Sequence, residues 1–155
     1  MSSPQFQTIH LASDHAGFGH KESVRIWLLG EGFAVVDHGA FRYDAEDDFP
    51  EFIIAAGKAI QVGGASHAGI IFGGSGQGEA LAINRLKGIR AGVFYGGNNE
   101  IVPLTRLHND ANVLSVGARF VSVDETKEMV WRWIHTDFLK EEKYSRRNQQ
   151  IDKMV

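Results

Sequence analysis

Phe72-Gly73-Gly74-Ser75-Gly76-Gln77-Gly78-Glu79 is the stretch on which the reading of this chain turns. An apolar run, Ala68 to Phe72, enters four glycines and then helical spacing, which predicts strand, anion-binding loop and helix. Glycine lets successive backbone N–H groups turn inward without a Cβ in the way, and a helix start adds unpaired donors of its own. Ser75 and Glu79 bring a hydroxyl and a carboxylate to the place where an oxyanion would sit. That hardware suits proton transfer better than simple cradling of phosphate.

Three familiar loop patterns each fail at one residue. The dinucleotide fingerprint through Gly74 and Gly76 needs glycine where Glu79 stands; the P-loop needs Gly-Lys followed by Ser or Thr, which is absent. A nucleophile elbow around Ser75 meets Gln77 at its last position, which disfavours a serine hydrolase using Ser75 with His108.

At 155 residues, 43% hydrophobic and 23% charged, the chain has globular proportions, and residues 1–155 are expected to form a single domain. With no cysteine, disulfides, thiolate zinc sites and a cysteine nucleophile are excluded. The N-terminal segment lacks the basic and apolar regions of a leader, and no apolar run approaches the roughly 20 residues that span a bilayer. A cytoplasmic location without membrane contact is therefore expected. A net charge of -3 argues against nucleic acid as a partner, although Lys140, Lys143, Arg146, Arg147 and Lys153 gather near the C-terminus.

In order along the chain, strands are predicted at 7–13, 33–37, 68–72, 90–94 and 113–116. Helices are predicted at about 19–31, from Pro50 through Ile60, at 79–85, from Asn98-Asn99 to Leu107, and after a capping box at Ser122 to Glu125. A charged amphipathic tail from 140 to 155 would be a last helix packing on a partner. Alternating strands and helices, with nearly all-apolar strands, predict an α/β, doubly wound, Rossmann- or flavodoxin-like five-stranded parallel sheet with helices on both faces. In the common order 2-1-3-4-5, the ligand crevice lies between the first and third strands. It would unite Asp14-His15 with the glycine loop.

Five segments in order, Ser-Asp-His-Ala-Gly at 13–17, Gly-Gly-Ser-Gly-Gln-Gly-Glu at 73–79, Gly-Ile-Arg-Ala at 88–91, His-Asn-Asp-Ala-Asn-Val-Leu at 108–114 and Gly-Ala-Arg at 117–119, resemble the ribose-5-phosphate isomerase B family, which includes the galactose-6-phosphate isomerases. The resemblance is to the branch with serine at 75 and glutamate at 79. It implies aldose–ketose isomerisation of a sugar phosphate through a cis-enediolate, with no metal and no organic cofactor. By the same resemblance, Glu79 would be the base, Ser75 the hydroxyl-proton shuttle and His108 the ring opener. The amides of Gly74, Gly76, Gln77 and Gly78 would hold the anion, Asp14 and Asn109 the sugar hydroxyls, and His15, Arg119 and Arg146 the phosphate. The family shares its site between subunits, implying a homodimer or tetramer.

Each residue also has a plainer reading. Asp14 alone would be a turn residue, Glu79 a first-turn helix carboxylate, His108-Asn109-Asp110 a helix stop, and Arg119 a surface partner of the acidic segment 44–48. Trp27, Trp131 and Trp133 are expected in core or interface, and His20, His38, His67 and His135 are unassigned. Two departures from the family pattern bear on substrate. Arg147 and Gln150 stand where a histidine and a second phosphate arginine are usual, and Phe49 stands for a tyrosine. Ribose 5-phosphate is the default substrate. Another pentose, a tetrose, a hexose 6-phosphate, a free sugar, or a non-catalytic phosphosugar-binding role are the alternatives.

Overall fold

The computed structural model describes residues 3–155. Five strands, β1 (Thr8–Ser13), β2 (Ala34–Asp37), β3 (His67–Gly73), β4 (Ala91–Phe94) and β5 (Val113–Gly117), all pair in parallel. They alternate with helices α1 (Phe18–Gly30), α2 (Phe49–Gly63), α3 (Gln77–Ile83), α4 (Ile101–Leu107), α5 (Val123–Ile134) and α6 (Glu142–Asp152). Along β1, Ile9 and Leu11 pack on one face with Val24 and Leu28 of α1, Val102 of α4 and Trp133 of α5. Ala12 faces the other side, with Ile53 and Ile60 of α2 and Ile83 of α3. Period-two alternation thus feeds two cores, as a doubly wound sheet requires.

The strand order is β2-β1-β3-β5-β4, which corrects the expected order at its last two positions. Every residue of β5 is buried, so it fits only a place with neighbours on both sides. In β4, Ala91, Gly92 and Val93 keep partial exposure, as an edge strand allows. The crossover from β3 therefore passes over β5 to reach β4, and α4 returns. The switch point between β1 and β3 is where it was expected, because β1 leads away toward β2 and β3 toward β4.

Local signals mostly hold. Ser122 Oγ accepts the Glu125 amide at 3.1 Å, one half of a capping box, and Pro50 sits in the first turn of α2. The helix expected to open at Asn98-Asn99 begins at Ile101, because Asn98 Oδ1 accepts the Glu100 amide at 3.0 Å in a preceding turn. Trp133 is fully buried; Trp27 packs against the same core beside Trp131.

Two buried polar devices fix the loops around β1. Lys21, with no exposed surface, donates to both Asp37 oxygens (2.8 and 2.9 Å) and to the Ala40 carbonyl (2.7 Å). The clamped segment in turn exchanges backbone hydrogen bonds with Ser13, immediately before Asp14: Ser13 N to Gly39 O at 2.8 Å and Ala40 N to Ser13 O at 2.6 Å. On the α2 face, His10 Nδ1 pairs with His38 Nε2 at 2.9 Å and His10 Nε2 with His67 Nδ1 at 2.8 Å.

Each neutral imidazole offers one donor and one acceptor, so three in line satisfy both bonds only while His10 is not asked to accept twice. Burial, then the neighbouring imidazoles, depress the His10 pKa to about 4. A histidine depressed on folding destabilises the native state as pH falls from the unfolded value of about 6.5 toward the folded one, because the unfolded chain binds the proton more tightly. Urea unfolding should therefore show stability falling by up to about 3 kcal/mol between pH 7 and pH 4 from this residue. The His10→Leu variant should have a flatter pH dependence; an equal slope would remove His10 as its cause. Of the other histidines, His20 bonds the Val121 carbonyl at 2.8 Å and His135 the Trp131 carbonyl at 2.8 Å, both structural ties.

Candidate active site

The C-terminal ends of β1, β3 and β5 bring three segments together: Asp14-His15 after β1, the loop 73–79 after β3, and Gly117 to Arg119 after β5. The Ala118 amide donates to Gly73 O at 2.8 Å and the Arg119 amide to Gly74 O at 3.1 Å, which pins the last turn against the glycine loop. Gly76, at φ 76°, occupies the left-handed region that glycine tolerates, and its carbonyl accepts the buried Ser115 hydroxyl at 2.7 Å.

Glu79 lies in the first turn of α3 but does not spend its carboxylate on solvent. It is 4% exposed, and the carboxylate rests directly on Gly73: a Cβ there would sit 1.9 Å from Glu79 Oε1. Burial raises its pKa above the ordinary carboxylate value, its own amide opposes the shift, and the negative charge of Asp14 adds to it. Glu79 thus keeps the helix-start place and accepts its own amide, while burial works against the anion that such a place normally favours. Around it, the amides of Gly74, Gly76 and Gly78 find no acceptor among the described residues, and Gln77 donates only to Ser75 Oγ at 3.3 Å. Ser75 is exposed at the mouth of the loop.

Asp14 is 7% exposed and does act as a turn residue: Oδ1 accepts the Ala16 and Gly17 amides at 2.9 and 3.3 Å. Its charge also reaches Glu79, so the turn and the site use the same carboxylate. His15 Nδ1 lies 2.7 Å from Asp47 Oδ1, and the His15 amide donates to the same oxygen at 3.0 Å. That hydrogen bond is the largest influence raising the His15 pKa; the charges of Asp14 and Asp47 add to it, while burial and Arg119 oppose. Arg119 therefore does not serve as the surface partner of the segment 44–48, which sends Asp47 to His15 instead. The Arg119 guanidinium lies over Gly74, 3.0 Å from where a Cβ would be, and no carboxylate bridges it among the described residues.

Asp14, His15 and Asp47 each place one potential ligand atom within 4.8 Å of the others. With Nδ1 engaged by Asp47 and a guanidinium alongside, the group has the character of a charged hydrogen-bonded dyad rather than a cation cage.

The remaining expected residues stand elsewhere. His108 and Asn109 close α4 before β5 begins, at the opposite edge of the sheet. The five residues of β5 span about 15 Å between them and the glycine loop. There, Tyr144 stacks on the His108 ring at 4.3 Å, Asn148 Nδ2 donates to the His108 carbonyl at 3.1 Å, and Arg90 bridges Asp152 at 2.8 Å. The tail helix α6 thus docks on its own protomer through Tyr144, Asn148 and Asp152. Arg146, exposed on α6, is paired with Glu142 one turn away. A single protomer therefore gathers Asp14, His15, Gly74, Ser75, Gly76, Gln77, Gly78, Glu79 and Arg119 at one edge, and His108, Asn109 and Arg146 at the other.

Asp47 and Gly73 were not singled out from the sequence. Gly73 could have been: its glycine is required by the carboxylate six residues on. Asp47 had no distinguishing signal within an acidic run.

The fold and this edge define a class, doubly wound α/β proteins whose β1–β3 crevice holds a buried carboxylate over a glycine loop. A family model described as Ribose/Galactose Isomerase matches residues 9–153, and the chain belongs to that family. Ribose-5-phosphate isomerase B of Mycolicibacterium paratuberculosis is 37% identical over 139 residues, 90% of this chain and 86% of that protein. The Escherichia coli protein of the same name is 32% identical over 130 residues, covering 84% of this chain and 85% of the other. Among solved structures, ribose-5-phosphate isomerase B from Mycoplasma genitalium with bound ribulose-5-phosphate superposes with a TM-score of 0.90 at 31% identity, covering 95% of each chain.

Proposed function

We propose that this protein is an aldose–ketose isomerase that interconverts D-ribose 5-phosphate and D-ribulose 5-phosphate through a cis-enediolate. The observation that carries the reading is the Glu79 carboxylate, buried against Gly73 within reach of the Asp14 charge, with loop amides that are unpaired among the described residues. A base must be able to hold a proton part of the time near neutral pH, and burial moves Glu79 in that direction. It would carry one proton between C2 and C1 of the open-chain sugar. The amides of Gly74, Gly76, Gln77 and Gly78 would meet the charge growing on oxygen, with Ser75 shuttling the hydroxyl proton. Asp14 and the partner copy's Asn109 would bind hydroxyls. No step draws on a metal or organic cofactor.

Ring opening needs an acid–base group, and the candidate, His108, lies at the far edge of the same protomer. Two copies packed edge to edge, each lending His108, Asn109 and Arg146 to the other's Glu79, would complete the set; a homodimer, alone or doubled into a tetramer, is the proposed working unit. His15 and Arg119 of one copy and Arg146 of the other would then hold the phosphate. Residues 1–155 are read as one isomerase domain acting on small cytoplasmic sugar phosphates. Among the described residues, no helix is long and apolar enough to cross a membrane.

The test is to incubate the pure protein with a panel of aldoses, phosphorylated and free, and assay for ketose. Ketose from ribose 5-phosphate is expected. Binding of ribose 5-phosphate with no ketose formed would make the protein a sensor or carrier instead. Gln150 is neutral and exposed on α6, and this favours keeping other aldoses in the panel.

A further inference from the structure

The acidic segment before α2 delivers one carboxylate inward. The Asp47 side chain is 7% exposed, although Asp44, Glu46 and Asp48 around it are exposed or at the surface. Its Oδ1 takes both the ring and the backbone N–H of His15, at 2.7 and 3.0 Å. Its Oδ2 is buried and meets no donor among the described residues, so His15 is the one ionisable group that answers its charge. An N–H spent on Asp47 at Nδ1 leaves Nε2 as the edge of the ring free to face a ligand, and the Arg119 guanidinium, lying over Gly74, is near enough for its charge to be felt at His15.

We propose that Asp47 is a positioning residue for the anionic end of the substrate: it holds the His15 ring through Nδ1–H, so that the Nε2–H of the imidazolium and the Arg119 guanidinium converge on one phosphate. This rests on the reading above that His15 and Arg119 hold that phosphate. Two cationic groups so close would repel in an empty site, and the buried carboxylate offsets that repulsion before substrate arrives. Pre-orientation lowers the ordering cost at binding, so the effect belongs in KM more than in kcat. The groups facing His15 are Asp14 from its own loop, Asp47 and Tyr43 from the segment before α2, and Arg119 from the turn after β5. Of these, Asp47 alone bonds the ring.

The sign of the pH effect follows. With Asp47 present, His15 stays cationic to higher pH than an isolated imidazole, and phosphate affinity is lost only as pH rises through that raised value. In Asp47→Asn the loss should begin at lower pH. Between the two transitions, KM for ribose 5-phosphate should rise about tenfold, with a far smaller change in kcat.

The experiment measures kcat and KM for ribose 5-phosphate from pH 6 to 9 in wild type, Asp47→Asn and Asp47→Glu, with a His15→Gln background as control. His15 ring signals are followed by NMR titration in parallel. The expected results are a downward shift of the KM transition and of the His15 titration in Asp47→Asn, partial return with Asp47→Glu, and no effect of Asp47→Asn once His15 is Gln. Superposable KM–pH curves, or a pH-independent rise, would overturn the proposal, since a loosened loop produces only the latter. If Asp47→Asn does not fold, Asp47→Glu and the NMR titration carry the test. If wild type forms no ketose, the reading of function has failed. The His15 titration then decides this proposal separately: lowered without Asp47 supports it, unchanged overturns it.

Discussion

Replacing Glu79 by Gln is expected to lower kcat by about 10³–10⁴-fold while the protein folds as before. Gln keeps the shape that fills the space over Gly73 and removes the ability to accept a proton. Because the native site buries a charge with no basic partner beside it among the described residues, the melting temperature of Glu79→Gln should match or exceed that of wild type. Catalysis and stability pull apart here, which distinguishes a working carboxylate from a structural one. The pH dependence adds a sign. A base must be ionised, so kcat should fall as pH drops through the Glu79 pKa, which burial places above the usual carboxylate range. Thermal melts and steady-state kinetics on the same preparations check both. A Glu79→Gln enzyme with kcat within tenfold of wild type would mean that another group moves the proton.

Gly73→Ala is the second large effect. A methyl at Gly73 would sit 1.9 Å from Glu79 Oε1 and 2.0 Å from its Cδ, so one of the two groups must move. The obstacle is the far end of a flexible side chain, not backbone, so the fold can yield by letting Glu79 swing away, at a stability cost of no more than about 1–2 kcal/mol. The base then leaves its place, and a displacement of about 1 Å is enough to cost on the order of 100-fold in turnover. Activity should therefore fall by about 10²-fold or more in a protein that melts only a few degrees lower. Near-normal kcat in Gly73→Ala would show that the carboxylate does not work from the position described.

The alternation of elements was readable because short apolar strands and helical spacing are local, and so was the link between the glycine loop and Glu79. The switch point followed from topology rules once β1 and β3 were identified. The order of the last two strands was not readable: β4 and β5 are both short and apolar, and only burial on both faces separates Val113 to Gly117 from Ala91 to Phe94. Asp47 was hidden among Asp44, Glu46 and Asp48, since the choice of which acid turns inward is made by packing. The histidine string escaped for a different reason. His10 lies 28 residues from His38 and 57 from His67, and only parallel pairing of β1 with its two neighbours brings them into line. The separation of His108 from Glu79 is a consequence of chain direction: residues after a strand lie at one edge, residues before a strand at the other.

That separation makes the account testable in one measurement. Glu79→Gln and His108→Ala homo-oligomers, each inactive, are unfolded together and refolded as a mixture. If the site joins the Glu79 edge of one copy to the His108 edge of the next, half of the dimers are mixed and each regains one intact site, restoring about a quarter of wild-type activity. Mixtures that stay as inactive as their parents, with mixed dimers verified by mass, would contradict the two-copy site.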